Sequence, residues 1–386
     1  MKRICSLSML VALVLASYPV EAHEHHAGGR FFPDYHPGML TIERGELQVS
    51  LRAQMQIHAA FYTGDDTLIS NGDLLEQPGF RLRRPRIYLG GQFIEGVRFG
   101  IGIELFDQER TDGPLLDAFI DYQPWSFIGA TVGVMKTPLS YGRLQASSRL
   151  AHLDRALVQR ALAPDRQLGF VLRGMPWGDK VTIEAGVFNG MQRSAYPYQG
   201  YEGIGISLGN RFGGATFVGR VEIEPLGDLG AGTADVTHSR APRVGFGGGY
   251  MYDTGGSTDT MIWSAYLHAK WMGFHILGEY IGDHTAPRKE PTTTATISTT
   301  MERMGLYGEV GYMILPELLG LAVRVEWLDL NTRIDDEQDV LAVTATATVY
   351  AVRDMLKFQL EYTHREELHG ASLANDSVLA GMQLVF

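Results

Sequence analysis

Residues 47 to 62 alternate in polarity over sixteen positions. Leu47, Val49, Leu51, Ala53, Met55, Ile57, Ala59 and Phe61 fall on one side, with Gln48, Ser50, Arg52, Gln54, Gln56 and His58 on the other. An ordinary soluble strand runs about 5 to 6 residues. A strand crossing a bilayer obliquely needs about 9 to 11 in the hydrocarbon and can continue past it. One face then meets lipid and the other meets water. The same period returns where Val97, Phe99, Ile101, Ile103 and Leu105 oppose Arg98 and Glu104. It returns again where Leu116, Ala118, Ile120 and Tyr122 oppose Asp117, Phe119 and Asp121.

Extended along the chain, the pattern predicts sixteen strands: 47–62, 80–94, 97–107, 115–123, 127–136, 167–175, 180–189, 214–225, 242–252, 260–271, 274–284, 301–313, 318–330, 340–351, 355–366 and 376–386. Short connections alternate with long ones, as periplasmic turns and external loops do in bacterial barrels. The short ones fall at Glu95-Gly96, Pro124-Trp125, Trp177-Gly178, Met272-Gly273, near Pro316 and at Arg353-Asp354; the long ones at 63–79, 137–166, 190–213, 285–300 and 367–375. The expected fold class is all-β: a transmembrane antiparallel β-barrel over 47–386 with short periplasmic turns and long external loops. Residues 201–212 could add a strand, but an odd count would break the alternation of sides. Residues 226–241 then form an unusually long periplasmic turn, and both ends of the barrel are periplasmic.

Composition fits this picture. The chain has 46 glycines and 17 tyrosines, and its mean hydropathy is close to zero. Lys2 and Arg3, the apolar run Leu7 to Ala16 and a small residue at Ala22 form a secretory signal pattern, so 1–22 is expected to be removed. Losing Lys2, Arg3 and Glu21 moves the formal net charge from −11 to −12, and Cys5 leaves with the signal. A disulfide scaffold and a thiol enzyme are thereby excluded. Residues 23–46 read as a His-rich, flexible periplasmic lead-in; His23, His25, His26 and His36 are weak metal-ligand candidates with nothing to fix their geometry. At the other end, Phe386 closes an alternating strand.

The acidic balance is uneven. Between Thr131 and Met175 lie Lys136, Arg143, Arg149, Arg155, Arg160, Arg166 and Arg173 against only Asp154 and Asp165, a local excess of +5. Much of this stretch is the third external loop, about 137–166. A loop folded inward would bring these cations to a constriction, where charge of one sign sets ion selectivity. The alternative is a solvated loop or a short helix over SRLAHLDRALVQR. The stretch RLRRPR adds four arginines at 81–86. Counted back from Ile87 and Leu89, which face outward, Arg84 and Arg86 face the lumen, as does Arg98 on the next strand. Arg81 and Arg83 share the outward parity and are expected at the external rim, unless Pro85 introduces a bulge that shifts the count by one. The pore-lining, anion-binding set is therefore Arg84, Arg86, Arg98, Lys136, Arg143, Arg149, Arg155 and Arg160.

The stretches FRLRRPRIYLGGQF, DAFIDYQPWSFIGATVGVMKTPLSYGRLQASSRLAHLDRALVQR and RQLGFVLRG resemble, in order, the phosphate-selective porins of the O and P type. Likeness is clearest over 78–176 and stays collinear to the terminal GMQLVF. It implies a 16-stranded homotrimeric channel in the outer membrane of a Gram-negative bacterium. The channel would admit phosphate or other small anions passively, without a cofactor. Family selectivity is attributed to pore arginines and to lysines near the mouth; this mature chain has only five scattered lysines. The expected partners are outer-membrane lipid and lipopolysaccharide, anionic solutes, and the barrel-assembly machinery, which reads a terminal aromatic such as Phe386. No role with nucleic acid is expected. No His-Glu-x-x-His or Walker loop is present, so an enzyme is not expected. His152 and Asp154 lie near Ser147 and Ser148, but sequence proximity does not make a triad. Two alternatives remain. One is a non-selective or cation-preferring pore, since Glu104, Asp117, Asp121 and Glu279 share the inward parity. The other is a non-conducting adhesin or anchor barrel.

Overall fold

A computed structural model describes Phe32, Tyr35 and residues 40–386, except 63–77, 107–113, 195–197, 199, 203–208 and 290–298. Sixteen strands close into an antiparallel barrel. They are β1 (Leu47–Tyr62), β2 in two pieces (Gly79–Leu82 and Arg86–Ile94), β3 (Val97–Glu104), β4 (Leu115–Trp125), β5 (Ile128–Lys136), β6 (Arg166–Gly174), β7 (Val181–Asn189) and β8 (Ala215–Ile223). The second half comprises β9 (Arg243–Asp253), β10 (Thr258–Trp271), β11 (Phe274–Pro287), β12 (Met301–Leu315), β13 (Leu319–Asp329), β14 (Val340–Asp354), β15 (Leu356–Glu367) and β16 (Ser377–Val385). Each strand pairs with its sequence neighbours, and β1 closes the ring on β16 from Gln54↔Val385 to Tyr62↔Ser377. Phe386 exchanges both backbone hydrogen bonds with Ala53 at this seam. The signal region and His23, His25, His26 and His36 lie outside the described residues.

Strand parity follows the sequence. Outward Leu51, Ile87, Leu89, Ile101, Phe170, Leu172, Ile183, Phe217 and Val221 are exposed, while inward Arg52, Gln54, Gln56 and His58 are buried. Exposed aromatics collect at the short-turn end: Phe93, Trp125, Phe127, Trp177, Trp271 and Phe274, an interfacial girdle. The β10–β11 turn shows how such short links close. Met272 and Gly273 both take positive φ, 49° and 85°, which suits a two-residue hairpin between right-twisted strands.

Three features correct the sequence reading. First, the sheet begins before residue 47. Leu40–Arg44 pairs with β1 from Leu40↔Leu51 to Arg44↔Leu47, occupying the edge below the point where β16 ends. Residues 40–46 are therefore part of the sheet and not of a free lead-in. Second, β2 carries a bulge. Leu82 faces Ile57 and Arg86 faces Gln54, so Arg83, Arg84 and Pro85 oppose only two residues of β1. The Gln56 carbonyl takes up the Arg83 N–H at 2.8 Å, and Pro85 has no N–H to leave unpaired. The extra residue reverses the parity above it. Phe80 and Leu82 are exposed, and Arg81 and Arg83 turn inward with Arg84 and Arg86. Third, Leu116 is an extra residue where Gly102 faces Asp117 and Ile103 faces Leu115. It is fully buried instead of facing lipid.

Tyr201–Glu202 pairs with Gln192–Arg193 in a two-stranded ribbon separate from the barrel sheet. Residues 226–241 stay a connection between β8 and β9, but they fold up into the lumen.

Candidate functional site

Residues 137–165 leave β5, cross the lumen and return to β6. Pro138 stops the strand. Ser140 then caps a single turn, α1 (Tyr141–Leu144), its hydroxyl accepting from the Arg143 N–H. A 3-10 turn follows at Ser147–Arg149, and α2 (Leu157–Leu162) completes the excursion. One continuous helix over SRLAHLDRALVQR does not form. The loop's apolar side, with Leu139, Tyr141, Leu157, Val158 and Leu162, packs on Ile262, Leu277, Ile281, Tyr307 and Leu328 of the wall.

Polar anchors hold the backbone. Glu279 accepts from the Tyr141 and Gly142 N–H groups at 2.8 and 3.3 Å, and from Gln159 and Tyr307, both at 3.0 Å. Glu361 accepts from Leu153 N–H at 3.0 Å and Glu326 from Val158 N–H at 3.4 Å. On the acceptor side, Lys357 donates to the Leu150 carbonyl at 2.8 Å, and Gln359 to that of Ala151 at 2.9 Å. A buried peptide group left without a partner is unfavourable by about 1–3 kcal/mol. This crossing loop is therefore a rigid element with its peptide groups paired.

The loop meets the β2 arginines through one carboxylate. Asp154 lies 3.8 Å from Arg81 and 3.5 Å from Arg83, and is in close hydrogen-bonded contact with Arg84. Burial alone would raise its carboxyl pKa. The guanidiniums of Arg83 and Arg84, with His58 and Arg81 behind them, outweigh burial and hold it well below the ordinary range. Arg86 binds Glu104 through two parallel bonds of 2.9 Å and reaches Ser147 at 3.0 Å. Arg52 donates to Ser148 at 3.0 Å. Three guanidiniums thus share one carboxylate where loop and wall touch.

A profile of the family described as phosphate-selective porin O and P matches residues 49–386. The chain belongs to that family. Solved structures agree on the fold. The anion-selective porin from Comamonas acidovorans shows a TM-score of 0.56 at 12% identity, covering 88% of this chain and 99% of that one. The outer membrane channel DcaP of Acinetobacter baumannii shows 0.56 at 12% identity, covering 91% and 100%. Salmonella typhi OmpF, in complex with daunomycin, shows 0.57 at 9% identity, covering 90% and 100%. No curated protein matches the sequence. The protein is an outer-membrane porin by family and fold.

The other anticipated cations of the porin are spread along the loop. Arg98 sits apart from the β2 cluster, 2.7 Å from both Asp121 and Gln123. Lys136 donates to the carbonyls of Leu144 and Gln145 at 3.2 and 3.0 Å. Arg143 donates to those of Gln159 and Arg160 at 2.9 and 3.0 Å. Arg155 bonds the carbonyls of Gly142 and Gln145. Arg149 and Arg160 are half-buried. Lysines do not gather at a mouth: Lys270 donates to Leu229 and Gly232 carbonyls, Lys357 to Leu150, and Lys180 and Lys289 are exposed at opposite ends. The nearby Ser, His and Asp have separate partners. Ser147 serves Arg86, Asp154 serves the cluster, and the His152 ring bonds Thr346 at 2.7 Å.

Several residues inside the barrel escape the sequence reading. Arg81 and Arg83 do so through the bulge, with Pro85 as the available signal. Phe32 and Tyr35 come from the segment read as a lead-in, yet both pack inside the barrel. Phe32 stacks on Phe119 at 4.0 Å, and the Tyr35 hydroxyl donates to Asp117 at 3.2 Å. Gly100 and Gly102 make the room. A Cβ on Gly100 would lie 2.7 Å from the Tyr35 ring and 2.5 Å from Phe119. The long turn 226–241 supplies Thr233, whose N–H donates to the Arg149 carbonyl at 3.1 Å and whose hydroxyl accepts from Ala151 N–H at 2.9 Å. Gly232 N–H donates to Gln145 at 3.0 Å. The loop from outside and the turn from the periplasm therefore meet in the lumen.

Proposed function

We propose that this porin passes small anions by passive diffusion, with Arg81, Arg83, Arg84 and Arg86 as the selecting group. The single observation that carries this reading is the shared carboxylate: Asp154 faces three guanidiniums. The acids across the lumen, Glu279, Glu326 and Glu361, are already engaged by loop N–H groups, and beside the cluster Glu104 is held by Arg86. Positive charge is left in excess on the β2 side. A planar guanidinium suits carboxylate and phosphate oxygens equally. With its lysines occupied or remote, the porin favours small anions in general over phosphate alone. No cofactor and no energy coupling enter. The relative from Comamonas is described as anion-selective, which is consistent with this reading. Assembly as a homotrimer, among lipopolysaccharide and lipid, belongs to the same proposal.

Planar-bilayer recording in a KCl gradient tests it. The expected reversal potential has the sign for chloride over potassium, and added phosphate competes with chloride current. A reversal potential of the potassium sign overturns the anion reading, and absence of conductance steps favours an anchor barrel.

A further inference from the structure

The external ends of β14 and β15 carry a second charged group that the pore does not use. Val340 and Glu367 are cross-strand partners, so the loop entering β14 and the loop leaving β15 meet there. The Leu368 N–H donates to the Asp339 carbonyl at 2.8 Å and ties the two together. On this tie, His369 Nε2 stands 3.9 Å from Asp335 Oδ1 and 3.8 Å from Asp339 Oδ2. All three ligand atoms lie within 4.8 Å of one another.

Two observations set this group apart from an ordinary solvated acidic patch. The Asp339 side chain is only 5% exposed, and its Oδ1 is buried with no hydrogen-bond partner. Burying a carboxylate oxygen without a partner is strongly unfavourable unless a cation or a proton completes it. The local charge is also unbalanced. Asp335, Asp336, Glu337 and Asp339 share one short loop, and the nearby Arg333 is paired to Glu302 at 2.7 Å.

We propose that Asp335, Asp339 and His369 bind a divalent first-row transition ion at the external rim, with Zn2+ as the working probe. An imidazole nitrogen with two carboxylates suits such ions, whereas Mg2+ and Ca2+ take oxygen ligands. Tetrahedral zinc with bonds of about 2.0–2.2 Å needs ligand-to-ligand edges of about 3.3–3.5 Å. The two His369 to carboxylate separations exceed this by a few tenths of an ångström, and the two carboxylate oxygens lie within 4.8 Å of each other. Asp335 and His369 are 84% and 45% exposed, so either side chain is free to close that gap. One further position remains open to water. A bound ion would pin the β13–β14 loop to the β15–β16 loop.

The test uses the full mature porin in detergent, stripped with chelator and then dialysed against Zn2+, with metal content read by mass spectrometry. The N-terminal histidines can bind zinc independently, so the readout is the difference between wild type and each of His369→Ala, Asp335→Asn and Asp339→Asn. Each variant is expected to carry one Zn2+ fewer per chain, with excess Mg2+ failing to displace the ion. Heat-modifiable electrophoretic mobility certifies the barrel. The exposed Asp335 and His369 variants keep the test valid if Asp339→Asn disturbs folding. Equal zinc content in wild type and the folded variants overturns the proposal, as does displacement by Mg2+.

Discussion

Asp154→Asn removes one charge at nearly constant shape and separates two roles of the β2 arginines. If they select anions, Asp154 partly masks them. If they only fasten the loop, Asp154 is simply the fastener. Asp154 is 16% exposed at its side chain, so neither bulk water nor a dry interior describes its surroundings. At an effective dielectric near ~40, a unit charge ~8 Å from a passing ion is worth about 1 kcal/mol, and about half of that after screening in ~0.1 M salt. Removing the charge lowers the energy of an anion and raises that of a cation, each by about 0.5 kcal/mol. The permeability ratio then moves by about 1 kcal/mol, roughly fivefold towards anions. Arg84→Ala should move it by a similar factor the other way, because Arg81 and Arg83 keep Asp154 paired.

Reversal potentials in planar bilayers read both variants, with heat-modifiable mobility confirming the barrel. Acid supplies a control with a definite sign. The Asp154 carboxyl titrates well below its ordinary value in the folded protein. A depressed carboxyl contributes stability above its unfolded value of about 3.9, and that contribution is lost only as pH falls through the folded value. Wild-type porin at pH ~4 should therefore not reproduce the Asp154→Asn shift. The selecting role is refuted if folded Asp154→Asn leaves the reversal potential unmoved or shifts it towards cations. A pure fastener predicts that Asp154→Asn and Arg84→Ala change selectivity in the same direction.

Gly232→Val should detach the periplasmic turn from the loop. Gly232 has φ 91°, and a Cβ there would stand 2.7 Å from the Arg149 carbonyl. The expected loss is about 1–3 kcal/mol in urea unfolding, with larger conductance steps, and unchanged conductance would show that the turn does not restrict the pore. Phe32→Ala combined with Tyr35→Ala should enlarge the steps too, since both rings fill lumen space against Phe119 and Asp117. Steps of wild-type size would place these rings outside the conducting path.

Barrel strands were readable because every second residue reports the same interface over ten or more positions. An error at one position is corrected by its neighbours. Local parity failed where one residue was inserted. Arg81 and Arg83 were assigned outward by counting back from Ile87, and the single extra residue at Arg83-Arg84-Pro85 reversed them. Pro85 signalled a bulge, but a sequence does not say on which side of the proline the slip falls. Leu116 failed for the same reason on β4. The anchoring acids had the right inward parity, yet nothing in a single chain pairs Glu279 with Tyr141 N–H across 138 positions. The Tyr35 seat depends on glycines of two strands that meet only when β2 and β3 pair.

On the proposed reading, the net charge of the chain is a poor guide to the sign of its pore. An excess of carboxylates suggests a cation path if all charges are weighed alike. In the lumen they are not alike. Glu279, Glu326 and Glu361 each accept from backbone N–H groups of the crossing loop, so their lone pairs face protein and not a passing ion. Lys357 and Arg155 are occupied in the same manner by loop carbonyls. On the proposed reading, an ion on the β2 side meets three guanidiniums on one carboxylate. An acidic barrel on that reading presents a cationic constriction: its acids fasten the loop, and the loop presents Asp154 to a surplus of arginine.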